Sequence, residues 1–172
     1  MDFLEIMRKR YSVRQYTGRK VERENLEKLL EAARVAPTAA NRQPQRLIVV
    51  ESAAGLEKLK RAAKTFDAPL AIIVCADHDE SWKRPCDRQD SAYVDASIVT
   101  DHLMLEAASL ELGSVWVMNF NPETVKAEFN IPSRIEPVSI LMIGYPDAKN
   151  PAPEKKNRKP LSETVAYEGY GK

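Results

Sequence analysis

Arg8-Lys9-Arg10-Tyr11-Ser12-Val13-Arg14 packs four cations and a hydroxyl into seven residues. It follows a short apolar run, Phe3-Leu4-Glu5-Ile6-Met7, which reads as one or two helical turns. With an extended backbone from Arg10 onward, side chains alternate. Arg10, Ser12 and Arg14 then share one side, and Tyr11 and Val13 the other. Two guanidiniums flanking a hydroxyl suit an anion with several oxygens, because each offers a planar fork of donors and stays charged. A solvated basic turn after a helix fits the same seven residues. The segment alone leaves both readings open.

Working outward, residues 21–36 carry Leu26, Leu29, Leu30 and Ala33 at helical spacing, and Pro37 ends the run. Ala36 to Pro44 is small, polar and bracketed by prolines, so it is irregular: a surface for a flat ligand, or a plain helix-to-strand connection. Leu47–Val50 reads as a strand and 53–64 as a helix. Pro69–Ala76 is more continuously apolar and fits a central strand covered on both faces. Residues 77–91 read as a long charged loop, in which Trp82 is either a lid aromatic or an anchor. Residues 92–111 form the strongest helix, apolar on more than one face, with Gly113 as its expected cap. Strands are expected at 114–120 and 137–145, with a short helix from Pro122 to about Asn130. The tail from Asn150 to Pro160 is polar and Pro-rich, yet Leu161, Val165, Tyr167 and Tyr170 follow, so docking of the tail is expected.

The 172 residues suit a single domain spanning 1–172. Lys plus Arg is 26 and Asp plus Glu is 25, a balance that argues against a nucleic-acid binder. No apolar run approaches a membrane span and no signal-peptide core opens the chain, so a cytoplasmic protein is expected. Cys75 and Cys86 make no disulfide framework. With His78 and His102 they match a zinc ligand set in type but not in spacing. Cys75 is read instead as a small buried hydrophobe and His102 as a satisfied helix residue, and no metal is expected. G-x-S-x-G, Walker and G-x-G-x-x-G signatures are absent, so a bound phosphate would have to be held by side-chain cations.

Five segments taken together resemble the nitroreductase family of FMN-dependent oxidoreductases. They are Arg10–Arg14 (R-x-S-x-R), Ala36–Pro44 (A-P-T-x-x-N-x-Q-P), Leu112–Trp116 (L-G-S-x-W), Gly144–Pro146 (G-Y-P) and Lys156–Leu161 (K-x-R-x-P-L). They stand in the family's order over nearly the whole chain.

The resemblance implies an α+β fold with a central mixed sheet flanked by helices, in an intertwined homodimer with an extended C-terminal tail. It implies two FMN sites at the subunit interface. Arg10, Ser12 and Arg14 would hold the phosphate, ribityl chain and polar ring edge, with Tyr11 contributing mainly its backbone. Lys156 and Arg158 would reach the phosphate from the tail. Pro37, Thr38 and Asn41 would come from the other subunit. Trp116, Val117 and Met118 would line one face of the isoalloxazine, with backbone N–H groups near N5. No side chain is nominated as acid or base, because the chemistry belongs to FMN. Hydride would pass from NAD(P)H through flavin N5 to a nitroaromatic or quinone in a ping-pong cycle. A flavin carrier or sensor without turnover is the alternative, as is a divergent relative acting as a dehalogenase, flavin-fragmenting enzyme or biosynthetic dehydrogenase. Tyr11 departs from the Arg or His common in relatives, and Val-Met-Asn-Phe after Trp116 departs from the commoner Gly-containing versions.

Overall fold

The computed structural model describes residues 2–149 and 151–170. Asn150 of the expected polar tail lies outside them, as do Met1, Gly171 and Lys172. Strands β1 (Gln45–Val50), β2 (Leu70–Asp77), β3 (Gly113–Val117) and β4 (Ile135–Gly144) form one sheet in the order β1-β2-β4-β3. β2 is buried along its whole length, as its uninterrupted apolar run requires of a strand with neighbours on both sides and cover on both faces. Leu70, Ile72, Val74 and Ala76 face helices α2 (Arg23–Val35) and α4 (Ala92–Ser109). Ala71, Ile73 and Cys75 face α3 (Ala53–Lys60) and α5 (Pro122–Phe129), which contribute Leu59 and Val125. Each such large aliphatic side chain contributes roughly 1.5–3 kcal/mol by leaving water.

Every pair of strands is antiparallel, so the α+β class stands but the sheet is not mixed in its four strands. β2 and β3 run the same way, joined by the α4 crossover, and a parallel pair would result if they touched. β4 enters between them from the opposite direction and makes both of its pairings antiparallel. Among the described residues, the one parallel contact is the bridge between Ser12 and Ser114.

Gly113 is not the cap of α4. Glu111 takes the left-handed conformation (φ 59°) and the Leu112 N–H closes back on the Ala107 carbonyl at 2.8 Å. Gly113 instead opens β3, where a Cβ would lie 2.6 Å from Val13 Cγ2. Its hydrogen side chain is what lets the Arg10–Arg14 segment lie against the strand. Across the pair from it, Gly144 is equally close to Pro69.

α1 (Phe3–Lys9) buries no residue, and Phe3, Leu4 and Met7 are exposed. The short α6 (Leu161–Thr164) and the residues after it likewise leave Leu161, Tyr167 and Tyr170 more than three-quarters exposed. The tail therefore does not dock its apolar residues on its own chain. Among the described residues no helix is long and apolar enough to cross a membrane.

Candidate functional site

The Arg10–Arg14 segment is extended and lies along the outer edge of β3. Val13 is buried and its N–H donates to the Ser114 carbonyl at 2.9 Å, while Ser12 and Arg14 are exposed. The alternation expected from sequence is thus present from Ser12 to Arg14. Tyr16 holds the segment from behind. Its hydroxyl lies 2.8 Å from the Val13 carbonyl and 3.3 Å from that of Met142, and burial pushes the phenol's pKa up.

The tail returns to the same place. The Lys156 ammonium donates to the carbonyls of Arg8 and Arg10, which the end of α1 leaves without helical partners. Burial, together with the nearby charges of Arg10 and Arg158, pulls the Lys156 pKa below the ordinary lysine value. Arg158 and Tyr11 line the same hollow, of about 720 Å³. A second hollow of about 340 Å³ adjoins it, lined by Tyr11, Ser12, Arg14, Pro151 and Pro153. None of Arg8, Lys9, Arg10, Arg14, Lys156 and Arg158 pairs with a carboxylate among the described residues. Elsewhere the cations are mostly spoken for: Arg19, Arg23, Lys28, Arg34, Lys60 and Arg61 all have acidic partners. Glu154 also lines the larger hollow, so six cations, none in an ion pair, gather around a single carboxylate, a net-positive site for an anion.

β3 runs on from this cluster. Backbone groups along a strand point alternately to its two edges. Ser114 faces outward, since it accepts from Val13, so Trp116 also turns its N–H and C=O to the open edge. The Trp116 side chain is half-buried, with its indole N–H 3.1 Å from Met118 Sδ. Met118 is 60% exposed. The Val117 side chain packs into the core and, by the same alternation, its N–H and C=O face β4.

Pro37, Thr38 and Asn41 are not brought to this cluster by their own chain. Their loop leads into β1, and the Pro44 carbonyl accepts from Asp77 N–H at the far end of β2. The span from Leu70 to Asp77 is roughly 23 Å at the rise of a strand, and β1 and β3 are three strand spacings apart, about 14 Å. The loop and the cation cluster occupy diagonally opposite corners of the sheet. The loop is tightly specified nonetheless. Ala40, Asn41 and Gln43 all have φ near 50°, a conformation that costs roughly 1–3 kcal/mol each in non-glycine residues. Thr38 Oγ1 accepts from Gln43 N–H at 3.1 Å, and Asp95 Oδ1 accepts from Ala39 N–H at 2.8 Å.

Sequence reasoning missed Asp95 and Tyr16, whose roles depend on partners distant in the chain. It also missed the arrangement around His78, whose ring nitrogens lie 2.7 Å from both Asp90 and Glu136. That contact closes the 77–91 segment, in which Ser91 N–H also donates to the Trp82 carbonyl at 2.8 Å. Cys75 is buried in the core, its thiol pushed up to about 12 by burial. His102 Nδ1 lies 2.9 Å from the Ile98 carbonyl one turn back.

A model of the nitroreductase family matches residues 7–66 and 57–145, most of the chain. The chain belongs to the nitroreductase family. A relative from Methanothermobacter thermautotrophicus, provisionally named an NADH dehydrogenase/NAD(P)H nitroreductase, is 36% identical over 164 residues, covering 88% of this chain and 80% of its own. A crystal structure of a nitroreductase family protein from Clostridium difficile superposes with a TM-score of 0.95 at 52% identity, covering 99% of this chain and 100% of that one. An FMN-dependent nitroreductase from the same species has a TM-score of 0.78 at 29% identity, covering 97% and 99%. This nitroreductase family chain is therefore an oxidoreductase with the family's α+β fold.

Proposed function

We propose that residues 1–172 form one FMN-binding unit, and that two copies act together as an FMN-dependent NAD(P)H oxidoreductase. The observation that carries this is the convergence of Arg10, Lys156 and Arg158, none of them paired with a carboxylate among the described residues, beside the exposed Ser12 and Arg14. The donor set fits FMN: a phosphate dianion meets guanidiniums and an ammonium, each charge-assisted hydrogen bond contributing roughly 1.5–3 kcal/mol. Arg10, Lys156 and Arg158 hold the phosphate, Ser12 the ribityl chain and Arg14 the polar edge of the ring. Tyr11 contributes its backbone and borders both hollows. Trp116, Val117 and Met118 support one ring face, the open-edge N–H of Trp116 being the donor available near N5.

Bound FMN supplies two-electron chemistry between NAD(P)H and an electron-poor acceptor of nitroaromatic or quinone type, in a ping-pong cycle. The protein's share is to hold and orient it. Names among the relatives support the reductant, and the FMN-dependent Clostridium difficile enzyme supports the cofactor.

The homodimer is supported by two features. The loop with Pro37, Thr38 and Asn41 sits a sheet diagonal away from the cations, so these residues join the site only from a second chain. Phe3, Leu4, Leu161, Val165 and Tyr167, near the two ends of the chain, are apolar residues left 44–88% exposed by the described residues. Two free cysteines accord with a cytoplasmic setting.

A visible spectrum of the purified protein, followed by anaerobic titration with NADH and NADPH, tests the reading. Flavin absorbance that bleaches with either nucleotide supports it. Bound flavin that neither nucleotide bleaches points to a carrier or sensor. A folded protein that stays colourless and does not take up FMN ends it.

A further inference from the structure

Asp95 is 1% exposed, and its carboxyl is used in both directions. Oδ1 accepts from Ala39 N–H at 2.8 Å, 56 residues away, and Oδ2 accepts from Ser91 Oγ at 2.6 Å. It stands in the first turn of α4, where a carboxyl is favoured by the helix dipole. The loop it grips contains three non-glycine residues at positive φ, a shape that persists only when its surroundings over-determine it. Ala36 to Asn41 carries no charge and is mostly small and apolar. It is suited to a flat ring, not to a dianion.

We infer that Asp95, steadied by Ser91, is a positioning residue that pre-shapes the 37–44 loop for the ring end of the flavin, separately from the cations that hold its phosphate. This rests on the proposed FMN site. The side chain acts through Ala39 and touches no reacting atom. Its consequence is a division of labour between the two corners of the sheet. Substitutions at Arg10, Lys156 or Arg158, which hold the phosphate, discriminate between FMN and riboflavin, whereas substitutions at the Asp95 bracket weaken both alike.

The test uses the full-length protein carrying Asp95→Leu, Asp95→Asn, Ser91→Ala or Arg10→Ala. Dissociation constants for FMN and for riboflavin come from quenching of flavin fluorescence. Amide exchange of residues 38–43 is followed without flavin. Asp95→Leu is expected to weaken both ligands by the same factor, about five- to tenfold, and to speed exchange at Ala39 and Gln43 while the β2 amides stay protected. Asp95→Asn keeps an acceptor for Ala39 and is expected to behave as wild type. Arg10→Ala is expected to weaken FMN only. If Asp95→Leu does not fold, Ser91→Ala carries the same expectations at smaller size. Unchanged exchange at Ala39, or faster exchange with unaltered riboflavin binding, overturns the inference. A wild-type protein that binds neither ligand overturns the proposed function as well, so the two failures are distinguishable.

Discussion

Val13 lies against Gly113 so closely that a Cβ on the glycine would meet Val13 Cγ2 at 2.6 Å and Val13 Cβ at 2.8 Å. Both residues are held by the backbone: Val13 by its bond to Ser114, Gly113 by its pairing with Gly144. Gly113→Ala is expected to push the Arg10–Arg14 segment off β3, costing about 1–3 kcal/mol as overpacking. Thermal unfolding reads the stability loss. A parallel drop in FMN affinity is the functional outcome, and a variant that melts and binds like wild type would contradict the packing.

Arg10 and Arg14 gain most of their value only when an anion arrives, since no carboxylate neutralises them among the described residues. Arg10→Ala is expected to weaken FMN by roughly 10–150-fold, the worth of one charge-assisted hydrogen bond. The double variant with Arg14→Ala is expected to purify nearly free of flavin. An intensely yellow double variant would remove both residues from the site.

His78 is held between Asp90 and Glu136, both at 2.7 Å, and Tyr93 donates its hydroxyl to Glu136. The bond to Asp90 is the larger of the effects that raise the imidazole's pKa above its ordinary 6.5. The clamp is therefore strongest when the ring is protonated. Its stability is fully present below the ordinary histidine value and is lost as pH climbs through the raised one. Burial pushes the Asp90 and Glu136 carboxyls up, but the partners, His78 among them, leave both below their ordinary values. Their share is present above the usual carboxylate range and fades as pH falls. Melting temperature against pH should lose its step on the alkaline side of 6.5 in His78→Gln. An identical profile in wild type and variant would show that the clamp does not matter.

Thr100 and Ser139 meet at 2.8 Å with no exposure, and Thr100 also donates to the Ala96 carbonyl. Thr100→Val leaves the Ser139 hydroxyl buried without that partner, and is expected to cost about 1–3 kcal/mol. Adding Ser139→Ala should recover much of the loss, because no polar group is then stranded. Denaturant unfolding of the two variants measures the difference.

Light scattering is expected to give the mass of a dimer for the whole chain. Truncation after Pro160, which removes the exposed Leu161, Val165 and Tyr167, is expected to shift it toward monomer. A whole chain that runs as a monomer at micromolar concentration would leave the Pro37–Asn41 loop without a site to complete.

The sequence by itself determined the elements up to β4, though not the short α6, and the central position of β2, because periodicity and unbroken apolar runs record which faces leave water. It also determined that Ser12 and Arg14 share a side with Val13 turned inward, since extended backbone alternates, whereas Arg10 borders a hollow with Val13. Tertiary structure alone decided that β4 slots between β2 and β3 and turns the sheet antiparallel, because strand order is a matter of long-range pairing with no local signature. It alone decided that Gly113 serves close approach and not helix capping, a fact set by Val13 across a strand edge. The link from Asp95 to Ala39 belongs to the same class, spanning 56 residues that only folding closes. Periodicity reports burial to the nearest neighbour along the chain, whereas a hydrogen bond between distant segments exists only once the core has fixed both of them.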